Sequence, residues 1–371
     1  MNFQPLTELI EGHFRSEKGI PSCDIKIMQE HKEVYRYKTG HADHARKVAL
    51  EGNETYNLYS CTKPITCTAA LRLVEDGVIG FDDPVYKYLP EYKNAFIEKD
   101  GEKIIVGDKM TVKHLITMSA GLDYCVYSED VCKLKSENPN ADTISVANEF
   151  IKRPLSFAPG ERFSYSLCHD VLGAVISAAS GMKLYDFMKK SIFDPLGMTR
   201  TSFSLTEEGK NTFCARYDYL DGVYNEVGEE NYFEITKNYE SGGAGLRSTV
   251  HDYSLFADAL ANGGVGTTGN RILSSSTVEL MRTPHIEGNE MLGLFDDGYQ
   301  YGLGVRTLVT NDKGARSSIG EFGWDGAAGS YVLIDPKLKL SAFLAIHVNG
   351  WQYIIGRHAY RLFRDTLYDC L

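Results

Sequence analysis

The segment Ser60-Cys61-Thr62-Lys63 pairs a hydroxyl with an amine three residues on. A serine hydroxyl is a weak nucleophile and needs a base within hydrogen-bond reach. Residues three apart on a helix share one face, so this spacing sets Lys63 beside Ser60. Pro64 is tolerated only near a helix start, which predicts Ser60 at or just before the first turn. There the positive end of the helix dipole favours negative charge developing on the serine oxygen.

Two later segments suit the same chemistry. Tyr165-Ser166-Leu167 supplies a phenol that can carry a proton from nucleophile to leaving group, or help activate water. Gly323-Trp324-Asp325-Gly326-Ala327-Ala328-Gly329 precedes a predicted strand. Its glycines let a substrate come close to the backbone. The N–H groups of Ala327 and Ser60 together would make an oxyanion hole, each such donor worth about 10²–10³ in rate. Taken singly, each segment has a plain structural alternative: a chance match, a packed tyrosine, a turn between strands.

The elements that must position these residues are legible in outline. Leu6 to Ser16 predicts a helix, and residues 23–40 alternate around a polar centre as a β-hairpin does. Cys67 to Asp76 predicts a helix stopped by Gly77. In the turn Phe81-Asp82-Asp83-Pro84, Asp82 or Asp83 is expected to cap the short helix that follows. Thr111 is expected to cap a helix beginning at Val112. Further helices are predicted over Leu172–Ser180, closed by Gly181, and over Tyr253–Ala261, ending in Asn262-Gly263-Gly264. Residues 204–240, rich in Tyr, Glu, Asn and Asp, read as a long surface excursion that shapes a pocket. Tyr331–Ile334, then Asp335-Pro336, then Leu340–Val348 predicts a hairpin, and a last helix is predicted from about Tyr353 to Cys370.

Strands thus occupy both ends of the chain and helices its middle. The economical arrangement is α/β (α+β): one antiparallel sheet built from both termini and flanked by helices, with a largely helical lobe inserted. The whole chain, 1–371, is read as one catalytic domain. One lobe covers about 1–58 plus 295–371 and the helical lobe about 59–294, with the site in the cleft between them.

Bulk properties narrow the partners. With 371 residues, 43% hydrophobic and 24% charged, the chain can bury a large core and long disorder is not expected. The formal charge of −11 disfavours nucleic acid and anionic membranes as partners. The first eleven residues carry no basic region and no apolar run, so they are not read as a secretory signal, and no segment is long enough to span a bilayer. Eight cysteines without a Cys-x-x-Cys pair suit reduced, mostly buried thiols and a cytoplasmic location.

Together, and in this order, the three segments resemble the β-lactamase-related serine hydrolases: class C β-lactamases, D,D-peptidases, D-aminopeptidases and class-C-like esterases. The resemblance continues through Gly80–Val85, Tyr88-Leu89-Pro90, Thr111–Leu115, Ser119–Leu122, Phe157–Gly160, Phe163–Ser166, Phe193–Met198 and Gly242–Leu246, about residues 20–350 in all. It implies a β-lactamase/transpeptidase-like fold. It also implies Ser60 as acylated nucleophile, Lys63 as proton acceptor, Tyr165 as second general base and Ala327 as oxyanion donor.

Two positions depart from the family pattern. Leu167 stands where the lactamases and peptidases have an Asn that contacts the substrate amide, and Leu cannot make that bond. Trp324 stands where they have Lys or His for a substrate carboxylate. Trp offers one neutral donor, and Asp325 beside it would repel an anion if it faced the pocket. Leu167, Trp324, Asp325 and Gly326 are therefore read as substrate-contacting positions of a carboxylesterase-like serine hydrolase. The alternatives are a β-lactamase or D-amino-acid peptidase, and a penicillin-binding-like sensor that acylates without turnover.

Other motifs carry no chemistry. Gly264–Gly269 fits a dinucleotide fingerprint by letter but follows a helix rather than a strand. There is no Gly-x-Ser-x-Gly elbow and no His-Glu-x-x-His. No cofactor and no metal are expected, and the expected partner is a small ester or amide. His169-Asp170 is read as structural.

Overall fold

The computed structural model describes residues 1–286, 298–351 and 359–371. Strands β1 (Ser22–Gln29) and β2 (Lys32–Gly40) form the expected hairpin. Short strands follow in pairs: β3 (Tyr56–Asn57), then β4 (Phe96–Lys99) with β5 (Glu102–Ile105), β6 (Arg216–Leu220) with β7 (Val223–Val227), and β8 (Arg247–Ser248) against β3. The C-terminal part supplies β9 (Tyr299–Tyr301), β10 (Arg306–Leu308), β11 (Phe322–Asp325), β12 (Tyr331–Asp335), β13 (Leu340–Ala345) and β14 (Val348–Asn349).

Seven of these make one sheet in the order β2-β1-β13-β12-β11-β10-β9, antiparallel throughout. The first strands of the chain therefore pair with its last. Alternation along β1 and β12 splits the two faces. Ile25, Ile27, Tyr331 and Leu333 pack with Leu6, Phe14, Phe363 and Leu367 of the terminal helices, Gln4–Glu17 and Ala359–Asp369. Val332, Ile334 and Phe343 join the other, larger core. The predicted start of the last helix, Tyr353, lies outside the described residues.

Val250–Ala261 comes from the middle of the chain but packs on the sheet, with Tyr253 stacked on Phe343 at 4.2 Å. The helix Thr62–Glu75 packs beside Cys168–Ser180. The first of these is buried from Thr62 through Leu71 and the second from Cys168 through Ser177, so both are interior helices rather than amphipathic surface ones.

The end signals behave largely as expected. Thr111 accepts from the His114 N–H in a capping box, and Gly181 takes a left-handed conformation (φ +68°) after Ser180. The expected Asp82 or Asp83 cap does not form. Pro84 occupies that position, and the Asp83 carboxylate instead accepts from the Gly80 N–H, Lys87 and Tyr88. Residues 204–240 are less superficial than expected, because β6 pairs in parallel with β14 and buries Arg216 and Tyr217. All eight cysteines are free, and six of them are buried. Among the described residues no helix is long and apolar enough to cross a membrane.

The sheet presses directly on the helix that follows Ser60. Gly304, between β9 and β10, has φ +82°, and a Cβ there would stand 2.2 Å from Cys67 Sγ. Gly304→Ala therefore combines backbone strain with overpacking. We expect a loss of about 2 kcal/mol or more in urea unfolding. A change below about 0.5 kcal/mol would mean this contact is not tight.

Candidate active site

Ser60 lies in a single 3₁₀ turn, Tyr59–Cys61, that runs into the helix beginning at Thr62. Tyr59 has a positive φ of 46°, a conformation uncommon for an aromatic residue and one that costs about 1–3 kcal/mol. Strain at this point means the surrounding structure fixes the approach to Ser60. The fixing contacts are visible. The Ser330 hydroxyl donates to Leu58 O at 3.0 Å. The Leu58 N–H donates to Leu246 O at 2.9 Å. One residue earlier, at the end of β3, the Asn57 N–H donates to His347 Nε2 at 3.1 Å.

Lys63 Nζ lies 3.1 Å from Ser60 Oγ, and Tyr165 Oη donates to the same oxygen at 2.7 Å. The expected trio is thus assembled from two distant segments. Lys63 is fully buried and also donates to Gly243 O at 2.7 Å. Its Nζ lies 4.7 Å from the Tyr165 ring centre and 5.8 Å from that of Tyr124. Burial pushes the Tyr165 hydroxyl well above its ordinary value, partly offset by its hydrogen bond to Ser60. Tyr165 is therefore a phenol at neutral pH, and the hydroxyl it presents to Ser60 is a proton donor.

The Gly243 carbonyl is a contact the sequence reading missed. It belongs to a turn braced by Asp170, which accepts from the Tyr239 and Ser241 hydroxyls at 2.6 and 2.5 Å. A Cβ on Gly243 would stand 2.4 Å from Asp170 Oδ2. Thr62 Oγ1 accepts from the Leu246 N–H and the Thr66 hydroxyl donates to Gly242 O, so the helix is stitched to the same turn. The run Gly242-Gly243-Ala244-Gly245 was the available signal.

Ala327 sits in the turn after β11 and is exposed. That turn is pinned by Gly326 N–H to Ser330 O and by Val348 N–H to Ala328 O. Among the described residues the Ala327 N–H donates to nothing, so it is available to a substrate oxygen.

The four positions read as substrate contacts behave differently. Leu167 is 1% exposed and lies in the core, the residue before the helix Cys168–Ser180. Its apolar side chain packs inward where an Asn would have to find partners. Trp324 is 2% exposed, stacked on Tyr165 at 5.8 Å and edge-on to Tyr301 at 5.3 Å. It buttresses the Tyr165 ring. A Cβ on Gly326 would meet Leu58 O at 2.3 Å, so this glycine makes room for the chain's own backbone, not for substrate. Burial pushes the Asp325 carboxyl up to about 6, against the opposing pull of Arg306 and Lys63.

A cleft of about 710 Å³ opens here. Its lining includes Tyr59 and Ala327, with Arg216, Tyr127, Tyr232 and Phe233 around them. Residues 230–234 do border this pocket, as expected of the 204–240 segment.

This sheet, with helices on both faces and a Ser-x-x-Lys pair at the start of an interior helix, is the β-lactamase/transpeptidase-like fold. The chain belongs to the beta-lactamase family, whose model matches residues 6–363. It is 29% identical over 352 residues to esterase EstB of Burkholderia gladioli, covering 86% of this chain and 84% of that protein. It is 32% identical over 268 residues to lovastatin esterase of Penicillium rubens, covering 68% and 66%. Among solved structures it resembles EstCE1, a hydrolase with promiscuous acyltransferase activity, with a TM-score of 0.82 and 23% identity over 98% of this chain and 99% of that one. Family and relatives together make it a β-lactamase-fold hydrolase.

One buried group gives the site a pH signature. His347 is held neutral: its Nδ1–H donates to Cys214 O at 2.9 Å while Nε2 accepts from Asn57. Burial lowers it to about 3. Below about pH 6.5 the unfolded chain binds a proton there that the folded one refuses, so stability falls as pH drops from about 6.5 towards 3. His347→Gln should remove this step. Its urea-derived stability should fall less steeply than wild type between pH 6 and 4, by about 1.4 kcal/mol per pH unit. Identical slopes would mean His347 titrates normally in the folded protein.

Proposed function

We propose that this protein is a serine carboxylesterase acting through a Ser60 acyl-enzyme on small esters. The observation that carries this reading is the placement of Lys63 Nζ and Tyr165 Oη at 3.1 and 2.7 Å from Ser60 Oγ.

The division of labour follows from which group carries which proton. Tyr165, a phenol, donates towards Ser60 Oγ, so the serine's own proton must go to Lys63 in its neutral form. A neutral amine has two N–H groups and one lone pair. It can donate to Gly243 O and still accept from Ser60. As Ser60 Oγ bonds to the ester carbonyl carbon, its proton passes to Lys63. The carbonyl oxygen becomes an oxyanion facing the N–H groups of Ala327 and Ser60. The C–O bond to the alcohol then breaks, and the departing alkoxide takes the Tyr165 proton, which Lys63 restores. Water repeats the sequence to release the acid and free Ser60.

Esters are preferred over lactams for a physical reason. Leu167 is packed in the core and Trp324 is committed to Tyr165, so neither offers the amide or cationic contact that β-lactam and D-peptide substrates use in the resembling enzymes. The names of the esterase relatives point the same way. The free thiols suit a reducing compartment, and we place the protein in the cytoplasm.

Turnover of p-nitrophenyl acetate, p-nitrophenyl butyrate and nitrocefin tests this. Ser60→Ala should lower kcat on the esters by at least about 10³-fold. Tyr165→Phe should cost about 10²–10⁴, with Lys63→Ala in the same range or below. Nitrocefin should be the poorest substrate. Nitrocefin turnover above both esters would move the assignment to a lactamase, and equal rates in wild type and Ser60→Ala would remove Ser60 from the mechanism.

A further inference from the structure

The cleft contains a buried cation that the chemistry at Ser60 does not use. Arg216, on β6, is 4% exposed and borders the cleft alongside Ala327. Its Nη1 donates to Tyr59 Oη at 2.5 Å, and its guanidinium carbon lies 6.0 Å from that ring's centre. Its Nε is buried and donates to nothing among the described residues. Nor does any carboxylate there approach Arg216 within ion-pair distance. Arg247, a second buried arginine nearby, has such a partner, since it pairs with Glu234 at 2.7 Å.

A buried guanidinium without a counter-charge is costly, and structure normally supplies one. The carboxylates that line this cleft do not. Glu234 is engaged by Arg247, Asp218 accepts from Asn349 Nδ2 at 2.6 Å, and Glu230 is exposed at the rim. Arg216 also holds the hydroxyl of Tyr59, the residue before Ser60, and borders the same cleft as Ala327, so one ester in that cleft can meet both.

We propose that the cleft selects esters bearing a carboxylate, which Arg216 receives on the part of its guanidinium that Tyr59 leaves free. An arginine fork presents paired N–H groups that match a carboxylate's two oxygens. Phe233, Tyr127 and Tyr232 supply apolar walls for the chain between carboxylate and ester. The proposal rests on Ser60 being the acylated nucleophile.

Two matched pairs test it, with rates normalised to hydroxide hydrolysis. The first is p-nitrophenyl hydrogen adipate against p-nitrophenyl methyl adipate, with the charge on the acyl side. The second is 4-carboxyphenyl butyrate against its methyl ester, with the charge on the leaving side. In at least one pair the wild-type kcat/KM should favour the charged ester about tenfold or more, and added salt should erode that advantage. In Arg216→Gln the charged-to-neutral ratio should fall to about one, whatever the absolute rates. In Arg216→Lys, which keeps the charge but loses the fork, the ratio should fall severalfold. Wild-type ratios at or below one in both pairs would overturn the proposal, as would a wild-type ratio surviving in Arg216→Gln. If Arg216→Gln does not fold, the wild-type ratios and Arg216→Lys decide. Failure of wild type to hydrolyse any of the four esters would instead sink the Ser60 reading, whereas turnover without charge preference sinks this proposal alone.

Discussion

The site depends on burying the amine of Lys63 completely and still giving it partners. An amine shut away from water must find its hydrogen bonds within the protein or lose their full value. Lys63 finds them in Gly243 O and Ser60 Oγ, with the Tyr165 and Tyr124 rings beside it. The nearby architecture follows from that requirement. Asp170 braces the turn that offers Gly243, Thr62 and Thr66 hold the helix to that turn, and Trp324 keeps the Tyr165 ring in place.

A second constraint acts from the other side of Ser60. The turn 326–330 must approach Leu58 closely enough for Ala327 to share the wall of the cleft with Tyr59. Gly326 permits that approach because it has no Cβ, and Ser330 fixes it with a hydrogen bond to Leu58 O. The sheet therefore does more than support the site. Its strand β11 carries both the buttress, Trp324, and the backbone that leads to Ala327. The pairing of β1 with β13 holds this sheet together from the two ends of the chain.

Much of this was legible in the sequence wherever the signal was local. The Ser60–Lys63 spacing, the Pro64 constraint, the Thr111 cap, the Gly181 stop and both hairpins depend on a few consecutive residues, and all appear as read. The misreadings share a different cause. Leu167 and Trp324 were assigned to substrate because motif position suggests a pocket, but which way a side chain faces is set by distant partners such as Tyr301. Asp83 looked like a cap, yet Tyr88 and Lys87 compete for its carboxylate. Gly243, His347 and Arg216 went unread because a carbonyl acceptor, a neutral buried imidazole and an uncompensated guanidinium have no sequence signature. They become visible only when β6, β14 and the 239–246 turn are brought together.

The account centres on a covalent bond at one atom, and that bond can be weighed. Wild-type protein mixed with p-nitrophenyl butyrate, quenched in acid within the first turnovers and analysed by intact mass and peptide mapping, should carry one butyryl group on the peptide containing Ser60. The adduct should be absent from Ser60→Ala. A butyryl group on another residue, such as the exposed thiols of Cys125 or Cys132, or one that persists in Ser60→Ala, would contradict the account.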